Sequence, residues 1–392
     1  MNIDLTDTTS GQINSALVKA RRASGSPAVG MVLTLVIVTD EGNHYDALKA
    51  AGEASKEHPS RILVVVRRPG RSPRDRAKAR LDAEVRAGDG SAAGETVLLR
   101  LHGELAAHAY SVVLPLLLPD APVVVWWPED APEHPSEDLL GTLAQRRITD
   151  AAATEDPEGS LRVRAETYAP GDTDLAWTRI TPWRSVLAAA LDQKHTEISG
   201  ATVEGEEYNP SSALLALWLA ERLDVPVTRV ITDGPGITAV RLDAADGEIC
   251  LDRADGSLAE LAVPGQPDRH VALQRRTTAE LVAEELRRLD PDEAYERAVR
   301  FHGGAADTLA GDVRPGDGAK PDGGAGAGGA ASEAAADGDA AGDARPDDAV
   351  SDAGGASGAA ATSGGKGAGA KKTAAKAGGR KAAAGTDGAA GS

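Results

Sequence analysis

The hydrophobic pattern of the chain begins with two short, continuous aliphatic runs, at residues 29–38 and 61–67. Between them, alanines and a leucine in residues 47–54 recur at helical spacing. Continuous β-branched runs are typical of strands covered on both faces, and parallel strands need a helical crossover. The pattern therefore predicts a βαβ unit with a right-handed crossover.

The remainder of the first half extends this unit into a doubly wound α/β domain with a mostly parallel sheet. A third buried run closes with two tryptophans and a proline, which indicates a central strand that ends sharply. The predicted elements are half-buried strands at 81–85 and 96–101, a helix at 104–118, the buried strand at 123–127, a helix around 139–143 and a strand at 146–150. We expect this Rossmann-like domain to occupy residues 1–170.

The second half has a different pattern, with short runs between residues 227 and 274 that are separated by Asp-Gly pairs. Asp-Gly pairs favour hairpin turns, so these runs predict an antiparallel meander. Asn209 before Pro210, and Thr277 or Thr278 before Glu280, indicate capped helix starts on either side of the meander. The expected fold is an α+β domain over residues 171–302.

The segment from residue 172 to 191 concentrates rare residues, because only 3% of the chain is aromatic and two of the five tryptophans lie here. Its apolar residues fall on one helical face. Pro182 predicts a fresh helix start, with Thr181 as its N-cap.

Tryptophan and arginine are the residues most enriched at binding hot spots. Pairs of both types occur near the end of the first domain and at the start of the second, so they could line an interdomain crevice. In a chain with few aromatics, however, a helical tryptophan stripe is more often core, with a solvated arginine rim. The candidate partner-binding residues are Trp126, Trp127, Arg146, Arg147, Trp177, Arg179, Trp183 and Arg184.

A basic loop at residues 67–76 follows the second buried strand, at the sheet edge where open α/β sheets bind ligands. It is either an anion-binding loop or an exposed loop whose arginines only confer solubility. Its candidate residues are Arg67, Arg68, Arg71, Arg74 and Arg76.

Residues 303–392 are almost entirely Gly, Ala, Asp, Ser, Pro and Lys, a composition that predicts disorder. The formal net charge of the chain is -18, so the folded part is expected to repel nucleic acid and anionic lipid. The lysines near the end of the tail could touch polyanions weakly, although such a run is more often a solubilising tail.

No motif for chemistry is visible. There is no GxGxxG or GxxxxGK[ST] loop, no HExxH and no GxSxG, so we expect neither a cofactor nor a metal. Cys250 is the only cysteine, which excludes an intramolecular disulfide. The acidic N-terminus without an apolar run behind it, and the absence of a run near the ~20 residues that span a bilayer, predict a cytoplasmic protein without a membrane segment.

Several strings resemble the glucose-6-phosphate dehydrogenase assembly protein OpcA family of actinobacteria and cyanobacteria. They are Trp127-Pro128, the stretch from Gly141 through Arg146 to Asp150, Asp174 to Arg184, Glu57 to Arg61, and Pro210 to Ala213. The resemblance runs over roughly residues 10–301. It implies a protein that is not an enzyme but an effector that binds glucose-6-phosphate dehydrogenase and promotes its active oligomer. A thiol redox response, expected of photosynthetic members, is not available to a chain with Cys250 alone.

Two other functions compete with this expectation. A sugar-phosphate-binding sensor or enzyme would use the basic loop at 67–76, and a DNA-associated protein would act through the lysines at 371–381.

Overall fold

The buried aliphatic runs become the central strands of an eight-stranded sheet in a computed structural model of the chain. The structure describes residues 2–24, 30–87, 94–193, 195–253, 256–301 and 312–313. The predicted disordered tail at 303–392 lies outside this part of the chain, except for residues 312 and 313. The lysines at 371–381 lie outside it as well.

The first sheet has the strand order β1-β4-β5-β3-β2-β6-β7-β8. The six strands from β5 to β8 in this order are mutually parallel, while β4 runs antiparallel to both β1 and β5. The strands are β1 (Asn2–Leu5), β2 (Leu33–Thr39), β3 (Ser60–Arg68), β4 (Arg80–Ala87), β5 (Glu95–His102), β6 (Val123–Trp126), β7 (Arg146–Thr149) and β8 (Asp172–Asp174). The prediction of a mostly parallel α/β sheet is confirmed, and the edge strands β1 and β8 add to it.

Helices cover both faces of this sheet. On one face, Ile13 and Leu17 of α1 (Ser10–Ser24) pack with the strands, beside α4 (Ala109–Val113). The other face is covered by α2 (His44–Ala54) and by α9 (Thr278–Arg287), which comes from the far end of the chain. A short α3 (Pro73–Arg76) and α5 (Pro157–Thr167) complete the helices of this half.

The prediction of one continuous helix at residues 104–118 is wrong. The structure has a 3-10 helix at Gly103–His108, α4, and a second 3-10 turn at Leu114–Leu116. Pro115 lies in this last turn, and because proline has no backbone N–H it cannot continue an α-helical ladder. The helix expected around 139–143 is likewise only a 3-10 turn, Gly141–Leu143.

The second sheet is mixed, with the order β14-β13-β12-β11-β9-β10-β15. Its strands are β9 (Ile198–Gly205), β10 (Val227–Ile231), β11 (Ile237–Ala244), β12 (Gly247–Asp252), β13 (Leu258–Ala262), β14 (Arg269–Ala272) and β15 (Asp312–Val313). The strands from β11 to β14 are antiparallel neighbours, as the meander prediction required.

The predicted hairpin between β10 and β11 is wrong, because β9 lies between these two strands. Helix α8 (Pro210–Leu223) connects β9 to β10, and the two strands pair in parallel. Parallel strands such as β9 and β10 need a crossover connection of this kind. Strand β11 then pairs with the other edge of β9, so the Asp233-Gly234 pair lies in a connection between β10 and β11, which are not neighbours in the sheet. The second core joins this sheet to α6 (Leu175–Arg179), α7 (Thr181–Leu191), α8 and α10 (Glu293–Val299).

Helix α9 connects the two halves of the chain. Leu281, Val282 and Leu286 pack against the first sheet, although the sequence assigns α9 to the second half. The described residues of the chain accordingly belong to one compact unit. The division into domains at residue 170 stays a prediction.

Candidate functional site

The segment from Asp172 to Leu191 forms β8, α6 and α7 in succession. The fresh helix start before Pro182 is confirmed, but the cap is not Thr181: α7 begins at Thr181, and Ile180 precedes it without a side-chain cap. Asp174 caps α6 by accepting a hydrogen bond from the Ala176 amide at 2.8 Å, and Thr149 donates to the same carboxylate at 2.6 Å.

Asp174 is fully buried, and its pKa is raised by this burial and by the nearby Asp150 carboxylate. Arg179 offsets part of that charge, since its guanidinium donates to both carboxylate oxygens of Asp150 at 2.6 and 2.7 Å. The cluster therefore fixes the end of β7 against the start of α6.

Trp177 lies in the core and is 1% exposed. Its indole N–H donates to Asp292 at 2.8 Å, and the guanidinium of Arg184 stacks on the ring at 3.6 Å. Burial of the Arg184 side chain lowers its pKa to about 10, so it remains cationic at neutral pH. Asp292 caps α10, so this tryptophan positions a helix that follows it by more than one hundred residues.

Arg146 and Arg147 form buried ion pairs instead of a crevice rim. Arg146 donates to Glu285 of α9, with 2.9 Å between Nε and Oε2, and both side chains are 5% exposed. Arg147 donates to Asp172 and to the carbonyl of Pro170. Nothing in the local sequence pattern pointed to Glu285, because it follows Arg146 by 139 residues.

The expectation that the eight residues line an open interdomain crevice is wrong. The four nominated indoles are at most 2% exposed, Arg146 and Arg147 are buried, and Arg184 stacks on an indole ring. The structure agrees with the alternative interpretation, in which the tryptophan stripe is part of the core. Burial of the indole rings removes a large apolar surface from water. Burial leaves the four rings little surface for a partner, and the role of the eight residues in partner binding stays a prediction. The residues concerned are Trp126, Trp127, Arg146, Arg147, Trp177, Arg179, Trp183 and Arg184.

Arg179 and Trp183 do border an open site, a cleft of about 450 Å³ that we call the Arg cleft. Its walls come from the start of α7, the turn between β9 and α8, the start of β11 and the segment that precedes α9. The apolar part includes Ile180, Pro182, Ile237 and Leu273, and the guanidinium groups are those of Arg179, Arg253, Arg275 and Arg276. Clefts of this size and mixed lining are typical of small-molecule sites.

The basic loop at 67–76 is exposed at the carboxyl end of β3, as the sequence indicates. Arg68 pairs with Glu41 at 2.6 Å and Arg67 lies 3.8 Å from Asp138. Arg71, Arg74 and Arg76 are exposed and make no ion pair with another residue of the described chain. Its role in anion binding stays a prediction.

The neighbouring strand end contributes Glu41, which also contacts Arg100 at 3.3 Å. Partial burial acts to raise the pKa of Glu41, but hydrogen bonds and positive charge from Arg68 and Arg100 outweigh it and lower the pKa. These ion pairs hold the root of the basic loop to β2 and β5.

Two broader findings concern chemistry and membranes. The described ranges contain no group of three or more His, Cys, Asp or Glu side chains arranged to hold a metal ion. Among the helices that the structure describes, none has the length and apolarity needed to cross a bilayer.

Comparison with known families gives the class of protein. The model for the N-terminal domain of the glucose-6-phosphate dehydrogenase subunit matches residues 51–166, and the model for its C-terminal domain matches residues 170–299. The first match spans β3 to β7 of the first sheet, and the second spans β8 and strands β9 to β14 of the second sheet. The chain therefore has both parts of this class in the same order along the sequence. The chain belongs to the OpcA family of glucose-6-phosphate dehydrogenase assembly proteins.

Curated relatives agree over part of the chain. The "Putative OxPP cycle protein OpcA" of Synechococcus elongatus is 34% identical over 122 residues, which is 28% of this chain and 26% of that protein. The protein of the same name from Synechocystis sp. is 30% identical over 140 residues, which is 33% of this chain and 29% of that protein. The alignments thus span less than a third of either relative.

Among solved structures, the chain is similar to KijD10, a 3-ketoreductase from Actinomadura kijaniata in complex with NADP and a TDP-linked compound. The identity is 12% and the TM-score is 0.41, over 72% of this chain and 98% of that one. A likeness at this level carries no argument about function.

Proposed function

We propose that this protein binds glucose-6-phosphate dehydrogenase and promotes its active oligomer, as a non-catalytic effector in the cytoplasm. The observation that supports the proposal is the match of both halves of the chain to the two domains of the dehydrogenase-associated family. A partner that binds the active oligomer more tightly than the inactive form shifts the population toward it. The shift cannot exceed the difference in affinity for the two forms.

The proposed contact is the surface at the carboxyl end of the first sheet, because the nominated tryptophans are buried. We define this basic-edge surface by Arg71, Arg74, Arg76, Tyr45 and Leu139. The tyrosine is 68% exposed and the leucine 59%, values that are unusual for large apolar side chains.

The parts of the basic-edge surface are joined by contacts across the sheet edge. Strands β2 and β3 pair in parallel, with Thr39 opposite Val66, so both end at the same edge. The ion pair between Arg68 and Glu41 and the approach of Arg67 to Asp138 bring the loop beside the segments that carry Tyr45 and Leu139. Aromatic and arginine side chains around apolar anchors are typical of interface centres.

The first experiment mixes the purified protein with glucose-6-phosphate dehydrogenase. We expect the chain alone to show no turnover, and the mixture to show a higher dehydrogenase rate at low substrate and a faster-sedimenting species. If both the rate and the sedimentation stay unchanged, the proposed function is refuted.

A charge-reversal pair then tests the surface. Replacing Arg71, Arg74 and Arg76 together with Glu should raise the dissociation constant at least tenfold and reduce its salt dependence, because charged rims steer association and are screened by salt. The matched control replaces three exposed arginines elsewhere, R22E, R162E and R222E, with the same change in net charge. Equal affinities for the two triple variants would refute the surface while leaving the function intact.

A further inference from the structure

The Arg cleft has no role in the proposed function, and its geometry indicates a ligand. Two guanidinium groups converge on Gly236 at the start of β11: Nη2 of Arg253 and Nε of Arg275 each lie 3.9 Å from the position that a Cβ would take on this glycine. Gly236 has a φ of +69°, a conformation that favours glycine, and Nδ2 of Asn209 lies 3.8 Å from the same position.

The two arginines are held by backbone carbonyls. Arg253 donates to Leu273 at 2.9 Å and to Ile237 at 2.7 Å, and its guanidinium lies 4.8 Å from the ring centre of Trp183. Arg275 donates to the carbonyl of Pro235 and is otherwise exposed toward solvent. The first is therefore a fixed donor, and the second is an arm that can turn toward a ligand.

The charge of the wall limits the kind of ligand. Arg179 is paired with Asp150, and Arg276 with Glu284. Glu206 and Glu207 line the same cleft, and Glu206 accepts a hydrogen bond from the Gly236 amide at 3.0 Å. The carboxylates on the wall and the ion pairs of Arg179 and Arg276 disfavour a polyanion, so the proposed ligand carries a single negative charge.

The amides at the start of α8 are not available for an anion. The Asn209 side chain already accepts from the amides of Ser211 and Ser212, at 2.9 and 3.3 Å. Recognition of the charged group thus depends on the arginines, while Ala152, Pro157 and Pro182 offer apolar surface to the rest of the molecule.

Tyr208 adds an independent observation at the mouth of the cleft. It is 61% exposed and has a φ of +57°, which is rare for a bulky residue. A large side chain held in this conformation, where glycine would be less strained, indicates a use for the ring at that position. A phenol at the mouth can cover the apolar part of a bound molecule.

We propose that the Arg cleft binds a small organic monoanion with an apolar or aromatic body, whose carboxylate or singly charged phosphate group lies between Arg253 and Arg275. The site is separate from the basic-edge surface, so ligand binding does not require the dehydrogenase.

Titration calorimetry on the full chain tests the proposal, with phenylacetate as the probe. We expect saturable binding of phenylacetate, no saturable binding of the cationic analogue benzylamine, and weaker binding of phenyl phosphate at a pH where it carries two charges. Absence of saturable phenylacetate binding, or equal affinity for benzylamine, would overturn the inference. Tighter binding of doubly charged phenyl phosphate would overturn the monoanion assignment.

Variants locate the site. Arg275→Gln should raise the phenylacetate dissociation constant at least tenfold, whereas Arg269→Gln, an exposed arginine on β14 outside the cleft, should leave it unchanged. Tyr208→Gly should weaken the binding of phenylacetate, because it removes the aromatic cover. It should also raise the urea midpoint, because it removes the backbone strain. Unchanged affinity in Arg275→Gln, with the fold verified by circular dichroism, would refute the placement, whatever the result with the dehydrogenase.

Discussion

The buried ion pair between Arg146 and Glu285 gives the sharpest test of the structural interpretation. The pair links β7 of the first sheet to α9, and both side chains are 5% exposed. Replacing Arg146 with Met leaves the Glu285 carboxylate without its cation in the core. Removing one partner of a buried pair costs about 3–5 kcal/mol of unfolding free energy.

The structure places the expected loss near the lower end of that range. The hydroxyl of Thr178 still donates to Glu285 at 2.6 Å, so the orphaned carboxylate keeps one hydrogen bond. We therefore expect Arg146→Met to cost about 3 kcal/mol. The double variant Arg146→Met/Glu285→Leu removes both charges and should lose much less than the sum of the two single losses, since residues in direct contact are not additive.

Urea unfolding followed by the fluorescence of the five buried tryptophans measures these losses. A matched control is Arg287→Met, which breaks the ion pair between Arg287 of α9 and Glu57. These two side chains are 65% and 56% exposed. Exposed pairs contribute about 0–1 kcal/mol, so the control should unfold close to the native protein. The reasoning is refuted if Arg146→Met is as stable as the control while losing affinity for the dehydrogenase, because Arg146 would then be an interface residue.

Two further predictions concern helix starts. Trp177→Phe removes the indole donor to Asp292 and should cost about 1.5–3 kcal/mol at pH 7, the range for a hydrogen bond to a charged group. Burial acts to raise the pKa of Asp292, but the Trp177 indole, two backbone amides and Arg184 lower it on balance below its usual 3.8. The stabilisation from this hydrogen bond is therefore present above that pH and is lost as the pH falls through the folded-state pKa. The urea midpoints of the two proteins should converge below about pH 4, and a constant difference down to acid would contradict a hydrogen bond to the ionised Asp292. Asn209→Ala removes the cap of α8 and should cost about 1 kcal/mol, measured as a shift of the urea midpoint, whereas Asn209→Gly should cost only a few tenths.

The sequence alone determined the features that depend on near neighbours along the chain. Continuous aliphatic runs identified β2, β3 and β6, because a strand buried on both faces needs apolar residues on both sides. The helix starts at Asn209 and at Thr277 or Thr278 followed from side chains that accept from amides two or three residues later, and the structure has Thr277 as the cap. The family was visible in strings such as Asp174 to Arg184 for the same reason: they are contiguous.

Tertiary structure decided everything that depends on partners distant in the sequence. The periodicity of Trp177 and Trp183 defines an apolar face, but it does not say whether a crevice or a core receives that face. Arg146 looks like a surface cation until Glu285, from a helix near the other end of the folded chain, is placed against it. The Arg cleft likewise joins Arg253 and Arg275 around Gly236, three positions on separate segments that only the packing of the second sheet brings together.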